Sequence, residues 1–366
     1  MRLPHHLVSA PLFLFEDPNQ LIQALGARVN AAQIDEILAL TDLGLPPVVS
    51  QEALATMIGV NSGLIWSLVN RPMKHYRVFE IPKGQGVRTI TAPKVVLKTV
   101  QKWLSVHFSK SYVPSHHVYG FVSGKSHIDA AMAHVSATWA YSADLRHFFE
   151  STPELAVVDA LRHLGYGEQS SRLVAKLCCF HGSLAQGAPT SPTLSNVCFR
   201  LMDDSLLQLA EKYNCKVTRY ADDIVFSGNG EFSTDLQAEL HERLALTPWK
   251  IAQGKESTQP IKGRIKVHGL LIKQDGVRLT KGYRNQVRAF AHILATRNTA
   301  ADNYHKLIGH IEYARHVHHT TGSPTGISST SEEVIDEQKK QALLARKATR
   351  LSRGNIVQRL KRFIGL

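Results

Sequence analysis

The tetrad Tyr220-Ala221-Asp222-Asp223 constrains the fold more than any other feature, because it lies between two apolar, β-prone stretches, Lys216–Arg219 and Ile224–Ser227. Two such stretches joined by a short polar segment predict a β-hairpin. Adjacent aspartates at its tip are either an ordinary solvated turn, where Asp is common, or a place that holds a divalent metal ion. The tetrad alone leaves both interpretations open.

Two upstream segments favour the metal-binding interpretation. Asp144 ends the strand-like run Tyr141–Asp144 and precedes a polar, aromatic turn that ends at Phe149. The Gly/Pro-rich loop Leu184–Pro192 follows, and its Ser191-Pro192 step predicts a helix start with a hydroxyl cap and proline at the first helical position. The chain order is therefore one acid, a loop with a helix, and then paired acids.

This order suits nucleotidyl transfer, in which two metal ions roughly 3.5–4 Å apart hold the attacking and leaving oxygens. Mg²⁺ prefers hard oxygen ligands and accepts few protein carboxylates. We therefore predict that Asp144, Asp222 and Asp223 lie on neighbouring strands and bind two Mg²⁺ ions.

Length and charge agree with such a role. The chain has 366 residues, long enough for several packed subdomains, and its 43 Lys and Arg against 30 Asp and Glu give a net charge of +13. An excess of this size is typical of proteins that contact a phosphate backbone, although a merely basic soluble protein is the alternative.

The cysteines and the N-terminal apolar run bear on location. The four cysteines, Cys178, Cys179, Cys198 and Cys215, include no C-x-x-C pair, which favours reduced thiols in the cytoplasm. The run Leu7–Phe15 is short and is followed by Glu16-Asp17-Pro18. It predicts neither a signal peptide nor a membrane span, so we expect a cytoplasmic bacterial protein with no membrane partner.

Six collinear blocks resemble the reverse transcriptases, and within them the bacterial retron type. The similar segments extend from about Tyr76 to about Val317. The blocks are Phe79–Lys83 with Gly86–Pro93, Tyr119–Phe121 with Gly124–Ser126, Asp144 with Phe148-Phe149, Gln186–Pro192, Tyr220–Asp223 and Val267–Leu270.

The resemblance implies an α+β, right-hand polymerase fold with fingers, a palm made of an antiparallel sheet with helices, and a helical thumb. Ser50–Trp66 has helix-turn-helix spacing, but its second helix carries little charge, which favours packing on the fingers over DNA recognition. The implied regions are 1–75 helical and packed on the fingers, 76–140 fingers, 141–265 palm with finger insertions, 266–319 primer-grip hairpin and thumb, and 320–366 linker and basic C-terminal tail. Thr320–Ser331 is the expected linker.

The resemblance also implies roles for single residues. Asp144, Asp222 and Asp223 would be catalytic and would bind the metal ions together with the backbone carbonyl of Leu145. Lys83, Arg88, Phe149, Gln186 and Lys255 would bind the incoming dNTP, with Phe149 as the steric gate against a 2′-OH and Lys250 as the alternative to Lys255. Gly187, Tyr220 and Gly269 would contact template or primer.

For a retron enzyme, the implied partner is a cognate structured non-coding RNA. Part of it would be copied into DNA from an RNA 2′-OH, giving a branched RNA–DNA product used in antiphage defence, with an effector protein as a further partner. Two departures bear on RNA recognition: Ala130 replaces the Asn of the family's Asn-Ala-x-x-His element, and His268 replaces the Thr of its Val-Thr-Gly element. The alternatives are another defence-associated or group II intron-like reverse transcriptase, and a non-catalytic RNA-binding scaffold. An RNA-dependent RNA polymerase is disfavoured by Phe149. The sequence makes no prediction of the oligomeric state.

Overall fold

The computed structural model describes residues 9–84, 86–260, 265–296, 301–325 and 327–340. The chain divides into two compact units, residues 1–263 and 264–366. The predicted palm–thumb boundary at 265/266 is adjacent to this division, while the assignment of fingers, palm and thumb remains a prediction. No described helix is long and apolar enough to cross a membrane.

Helices of the first unit surround its sheets. They are α1 Pro18–Leu25, α2 Ala31–Asp42, α3 Gln51–Ile58, α4 Ser62–Asn70, α5 Val95–Ser111, α6 His127–Met132, α7 Glu154–Leu164, α8 Glu168–Cys178, α9 Ser191–Lys212 and α10 Thr234–Ala245. The long helix α9 packs against α5, α7, α10 and the central sheet, so it organises the core of this unit.

The strands of the first unit form three antiparallel sheets. They are β1 Tyr76–Lys83, β2 Gly86–Pro93, β3 Trp139–Asp144, β4 Cys179–Phe180, β5 Ser183–Leu184, β6 Lys216–Tyr220, β7 Asp223–Gly228 and β8 Ser257–Pro260. The largest sheet has the order β6-β7-β3-β8, and β1-β2 and β4-β5 are separate pairs. The predicted α+β fold with an antiparallel palm-like sheet is confirmed.

Apolar strand sequences explain the central position of β3 and β7. Five of the six residues in β3 are apolar or small, and Tyr141, Ile224 and Phe226 are fully buried. Strands that are covered on both faces read as nearly continuous apolar runs rather than as alternating ones. The polar ends of these two strands, Asp144 and Asp223, lie directly opposite each other.

The start of α9 corrects one prediction. Ser191 is the first helical residue rather than the cap, Thr190 is the cap residue without a side-chain capping bond, and Pro192 takes the second position. The Ser191 hydroxyl instead donates to the Ala185 carbonyl at 2.8 Å, because the preceding loop turns back tightly onto the helix.

The predicted helix-turn-helix is formed by α3 and α4, with Gly59 in the left-handed conformation at the end of α3. The apolar side of α4 is buried through Ile65 and Leu68, and α4 packs against α8. This burial supports the packing interpretation of the second helix.

The second unit contains a three-stranded antiparallel sheet and helices. Its elements are β9 Lys266–Val267, β10 Leu270–Lys273, β11 Gly276–Leu279, α11 Lys281–Thr296, α12 Ala301–Thr321 and a further helix, α13, over 329–340. The expected linker Thr320–Ser331 is therefore wrong at both ends, because helices occupy its first two and last three residues. Most of the predicted basic tail, 341–366, lies outside the described residues.

Candidate active site

The tetrad lies at the tip of the β6–β7 hairpin, as predicted. Tyr220 pairs with Asp223, and Ala221 and Asp222 form the two-residue turn. Ala221 has a φ of 58°, a left-handed conformation that costs an L-residue about 1–2 kcal/mol. The backbone amide of Leu145 donates to the Asp222 carbonyl at 2.8 Å, so the turn is fastened to the end of β3.

The three acids lie at one edge of the sheet, where β3 ends and β7 begins. Asp144 and Asp223 are cross-strand partners, and Asp222 follows from the adjacent turn. Burial, and next the negative charge of Asp144, raise the pKa of Asp222, whereas the nearby Lys83 acts in the opposite direction. Among the described residues, no group of three or more His, Cys, Asp or Glu side chains is arranged to hold a metal ion.

A cleft of about 640 Å³ opens above these acids. Eight residues predicted to act in the site line it: Lys83, Arg88, Asp144, Leu145, Phe149, Gln186, Asp222 and Lys255. These residues are far apart in the sequence. The fold brings the predicted nucleotide-binding residues together in the cleft. Asp223, Gly187 and Tyr220 are not among the lining residues.

The two cations from the β1–β2 hairpin lie at its tip. Lys83 pairs with Gly86 at the end of the hairpin, and Arg88 pairs with Ile81 two residues further along the strands. Lys83 is exposed and Arg88 is half-buried. Both line the cleft, where they face the same space as Asp144 and Asp222.

The Gln186-Gly187 loop is fastened to the same hairpin. The Gln186 carbonyl accepts from the Thr91 amide at 2.8 Å. Gly187 has a φ of 118°, and a Cβ added there would lie 2.9 Å from the Cγ2 atom of Ile90. Only glycine combines this conformation with this close approach, so the loop keeps Gln186 at the cleft.

The two phenylalanines after Asp144 both line the cleft but differ in burial. Phe148 is buried and packs edge-on against Phe199 at 5.7 Å between ring centroids. Phe149 is half-buried, lines the cleft and contacts the Phe121 ring at 5.9 Å. The Phe149 side chain therefore lies in the cleft, where the predicted steric gate would act.

The structure separates the two candidate lysines. The Lys255 Nζ atom lies 3.1 Å from Oδ2 of Asp144. Lys250 Nζ instead donates to the carbonyls of Leu244, Ala245 and Thr247 at 3.0–3.3 Å. Lys250 therefore caps the end of α10 and is not among the residues that line the cleft.

The remaining predicted residues are Tyr220 and Gly269. The Tyr220 ring meets the His127 ring edge-on at 6.1 Å. Gly269 belongs to the second unit, where His268 and Gly269 have φ values of 49° and 81° and join β9 to β10. Two consecutive positive φ values are typical of a type I′ hairpin turn, which explains the glycine.

His134, from the element in which Ala130 replaces Asn, is fully buried. Its Nδ1 lies 2.6 Å from the Ser227 hydroxyl and its Nε2 lies 2.7 Å from the Thr218 hydroxyl. The side chain thus connects β6 with β7, the two strands of the hairpin that carries the tetrad. Ala130 and Ala131 of the same element are also fully buried.

Other cleft-lining residues received no site role from the sequence, among them Phe121, Arg146, His147 and Gln253. Arg146 and His147 directly follow Asp144 and Leu145, so their position in the polar turn after the first acid was an available signal. Phe121 follows Tyr119-Gly120, a segment noted for its resemblance only. Gln253 lies two residues before Lys255 and gave no signal of its own.

Comparison with known proteins identifies the family. Residues 81–257 match the reverse transcriptase (RNA-dependent DNA polymerase) family. The chain is 30% identical over 273 residues to the retron Mx65 reverse transcriptase of Myxococcus xanthus, a match that covers 68% of this chain and 64% of that protein. It is 35% identical over 207 residues to the retron Mx162 reverse transcriptase of the same organism, covering 50% of this chain and 43% of that protein.

The chain thus spans less than two thirds of the length of these two relatives. Among solved structures, a telomerase from Candida albicans in complex with an RNA fragment aligns with a TM-score of 0.40 and 10% identity, covering 70% of this chain and 60% of that one. The family match includes the three acids, the residues that line the cleft and the tip of the β1–β2 hairpin. The chain belongs to the reverse transcriptase family and is a member of its bacterial retron type.

Proposed function

We propose that the chain is an RNA-directed DNA polymerase that copies part of a structured RNA into DNA. The observation that carries this proposal is the single cleft in which Asp144 and Asp222 face the cations Lys83, Arg88 and Lys255. Two neighbouring carboxylates would bind a divalent metal ion, and the three cations opposite them would bind a polyphosphate in the same cleft.

The donor set suits magnesium, since Asp144, Asp222 and Asp223 offer hard carboxylate oxygens at one edge of the sheet. In the family's two-metal chemistry, bound Mg²⁺ would polarise the reacting phosphate and lower the pKa of the attacking hydroxyl. The backbone carbonyl of Leu145 is the further ligand that we propose. Burial, and next the charge of Asp144, raise the pKa of Asp222, and a bound cation would offset both effects by stabilising the ionised carboxylate.

The other cleft residues would select and orient the nucleotide. Arg88 would bind the triphosphate as a planar fork and Lys83 as a point charge. Phe149 would lie under the sugar, where its ring excludes a 2′-OH, and Gln186 would contact the nucleotide from the loop fastened to β2. Gly187, Tyr220 and Gly269 are the proposed contacts to template and primer.

The retron relationship supports a more specific role. The RNA would be a cognate structured non-coding RNA, DNA synthesis would start from an RNA 2′-OH, and the branched RNA–DNA product would serve in antiphage defence with an effector protein. The support is that both relatives described above are retron reverse transcriptases.

Primer extension tests the activity. The purified protein should extend a DNA primer on an RNA template with Mg²⁺ and dNTPs, and Asp222→Asn should lose at least ~10³-fold in rate, since the reaction depends on that carboxylate. Asp35→Asn, at an exposed position of α2, is the matched control. Equal extension by wild type and Asp222→Asn would refute the proposal.

A second candidate is another defence-associated or group II intron-like reverse transcriptase, which the departures at Ala130 and His268 favour. Sequencing of nucleic acid that co-purifies with the protein separates the two. One short structured RNA joined to DNA through a 2′–5′ branch supports the retron role, whereas other RNAs without a branch support the second candidate. RNA binding without any extension would instead indicate a non-catalytic scaffold.

A further inference from the structure

A fully buried arginine lies directly before the catalytic tetrad. Arg219 has no exposed surface, and it belongs to β6, one residue before Tyr220. An arginine side chain almost never becomes buried unless it is paired, because removing its charge from water is costly. Its partners therefore indicate why it is kept at this position.

Asp203 and Asn196 on α9 fix the guanidinium from one side. Nε and Nη2 of Arg219 each donate to a carboxylate oxygen of Asp203 at 2.6 Å, and Nη2 also donates to Oδ1 of Asn196 at 3.1 Å. Such a two-point pairing fixes the plane of the guanidinium as well as its position. The rings of Phe199 and Phe148 lie 4.8 and 5.9 Å from the guanidinium carbon and complete the enclosure.

The remaining guanidinium nitrogen reaches the turn. Nη1 of Arg219 donates to the carbonyl of Ala221 at 3.0 Å. Ala221 is the residue with the strained left-handed φ, and Asp222 follows it. A strained backbone persists only where its surroundings hold it, and this hydrogen bond is one such restraint.

The segment 117–120 closes the arrangement from the other side. Asn196 donates through Nδ2 to the Gly120 carbonyl at 3.0 Å. The backbone of Arg219 bonds to the same segment, because its amide donates to the His117 carbonyl and its own carbonyl accepts from Tyr119, both at 2.9 Å. Arg219 is therefore immobilised through its side chain and through its main chain.

We propose that Arg219 is a positioning residue for polymerisation: its guanidinium, fixed by Asp203 and Asn196, holds the Ala221 carbonyl and thereby places the Asp222 carboxylate in the cleft. This inference rests on the proposed polymerase function. The guanidinium is ion-paired with Asp203. It therefore restrains the turn through the Ala221 carbonyl without forming an ion pair with the catalytic carboxylates. A small displacement of a catalytic group lowers the rate strongly even when the substrate still binds.

The test removes the buried pair as a unit. The double variant R219M/D203L deletes both charges and keeps apolar volume, a replacement that is often neutral for stability. We expect an unfolding temperature near that of wild type, a kcat for dNTP incorporation lower by about 10- to 100-fold, and a KM for dNTP within about twofold. Arg172→Gln, which removes an exposed pair with Glu168 on α8, is the matched control and should leave kcat unchanged.

Two further measurements keep the inference falsifiable. Arg219→Lys keeps a charge opposite Asp203 but lacks the planar fork, so it should fold and show the same separation of kcat from KM. Hydrogen exchange at the Leu145 amide, which donates to the Asp222 carbonyl, should be at least ~10-fold faster in the folded variants. Wild-type kcat and wild-type exchange in a folded variant overturn the positioning role. Absence of extension by the wild-type protein contradicts the proposed function instead, and the exchange measurement still tests the positioning role.

Discussion

Lys255 and Asp144 both line the cleft and form an ion pair with 3.1 Å between Nζ and Oδ2. Two backbone hydrogen bonds set this distance, because the Ala252 amide donates to the Asp144 carbonyl at 2.7 Å and the Lys255 amide donates to the Ala252 carbonyl at 3.1 Å. The lysine is thereby attached to the strand that carries the first acid.

Lys255→Gln should slow nucleotide incorporation by about 10²-fold, since it removes one of the cations proposed to face the triphosphate. Lys255→Arg should retain more activity because it keeps the charge. Lys250→Gln is the informative control: it removes the cap of α10 and should lower the unfolding temperature without changing the incorporation rate. Rapid-quench measurement of single-nucleotide incorporation distinguishes these results. A wild-type rate for Lys255→Gln would contradict the assigned role.

Phe149→Val should relax the selection of the sugar. The smaller side chain leaves space for a 2′-OH next to Phe121, so incorporation of ribonucleotides relative to deoxyribonucleotides should rise by about 10- to 100-fold. The rate with dNTPs in the same variant is the internal control, because it reports any general damage to the cleft. No gain in ribonucleotide use would show that Phe149 is not the gate.

Asp222→Asn should stabilise the fold while it abolishes activity. Burial and the charge of Asp144 raise the pKa of Asp222, so the ionised side chain opposes folding when no metal is present. Removal of that charge should raise the free energy of unfolding by about 0.5–2 kcal/mol. Thermal unfolding of the metal-free protein measures the gain, with Asp35→Asn as the reference. An unchanged or lower unfolding temperature would argue against repulsion at the site.

The sequence predicted the acids well because their pairing depends on local pattern. Asp144 ends β3 and Asp223 begins β7, and antiparallel pairing places the end of one strand beside the start of the other. A local sequence pattern of this kind could not distinguish the role of Lys255 from that of Lys250. Both are basic and close in sequence, and only the distant end of α10 shows that Lys250 is used as a cap.

Arg219 illustrates a second limit of prediction. A charged residue in a β-prone run is normally assigned to the surface, yet this one is buried by a partner on α9, sixteen positions earlier in the chain. The pairing depends on how α9 packs against β6, which is a property of tertiary structure. The same reason explains why His134 connects two strands although its motif suggested RNA recognition.

Three lysines on α5 offer a test of the nucleic-acid partner. Lys94, Lys98 and Lys102 are spaced four residues apart and are exposed on one side of the helix or at its cap. Among the described residues, none of them is ion-paired with an acid. Successive members lie about 6 Å apart along the axis, which suits contacts to consecutive phosphates.

Their replacement by Glu should weaken RNA binding and flatten its salt dependence, with the log–log slope falling by about 0.7–0.9 for each lost phosphate contact. The matched control changes the net charge equally at scattered exposed positions, Lys110, Lys176 and Lys216. Fluorescence anisotropy with a labelled RNA hairpin at several salt concentrations measures both quantities. Equal effects of the two triple variants would indicate that only net charge matters.

Gly120→Ala should displace the catalytic turn directly. A Cβ added at Gly120 would lie 2.2 Å from the Ala221 amide nitrogen and 2.9 Å from the Tyr220 carbonyl carbon, both of which are backbone atoms that cannot move aside freely. The overpacking should cost about 1–3 kcal/mol of stability and lower kcat by more than ~10-fold.

Gly309→Ala is the control for this substitution, since a Cβ there meets nothing within 4 Å and the position lies inside α12. Alanine at such a helical position should be neutral or stabilising, by about 0.5–1 kcal/mol. If Gly120→Ala instead retained wild-type kcat and stability, the backbone at the tetrad would have to yield easily. That result would be incompatible with a turn held by Arg219, because the same hydrogen bonds that place Asp222 are the ones that resist the added methyl group.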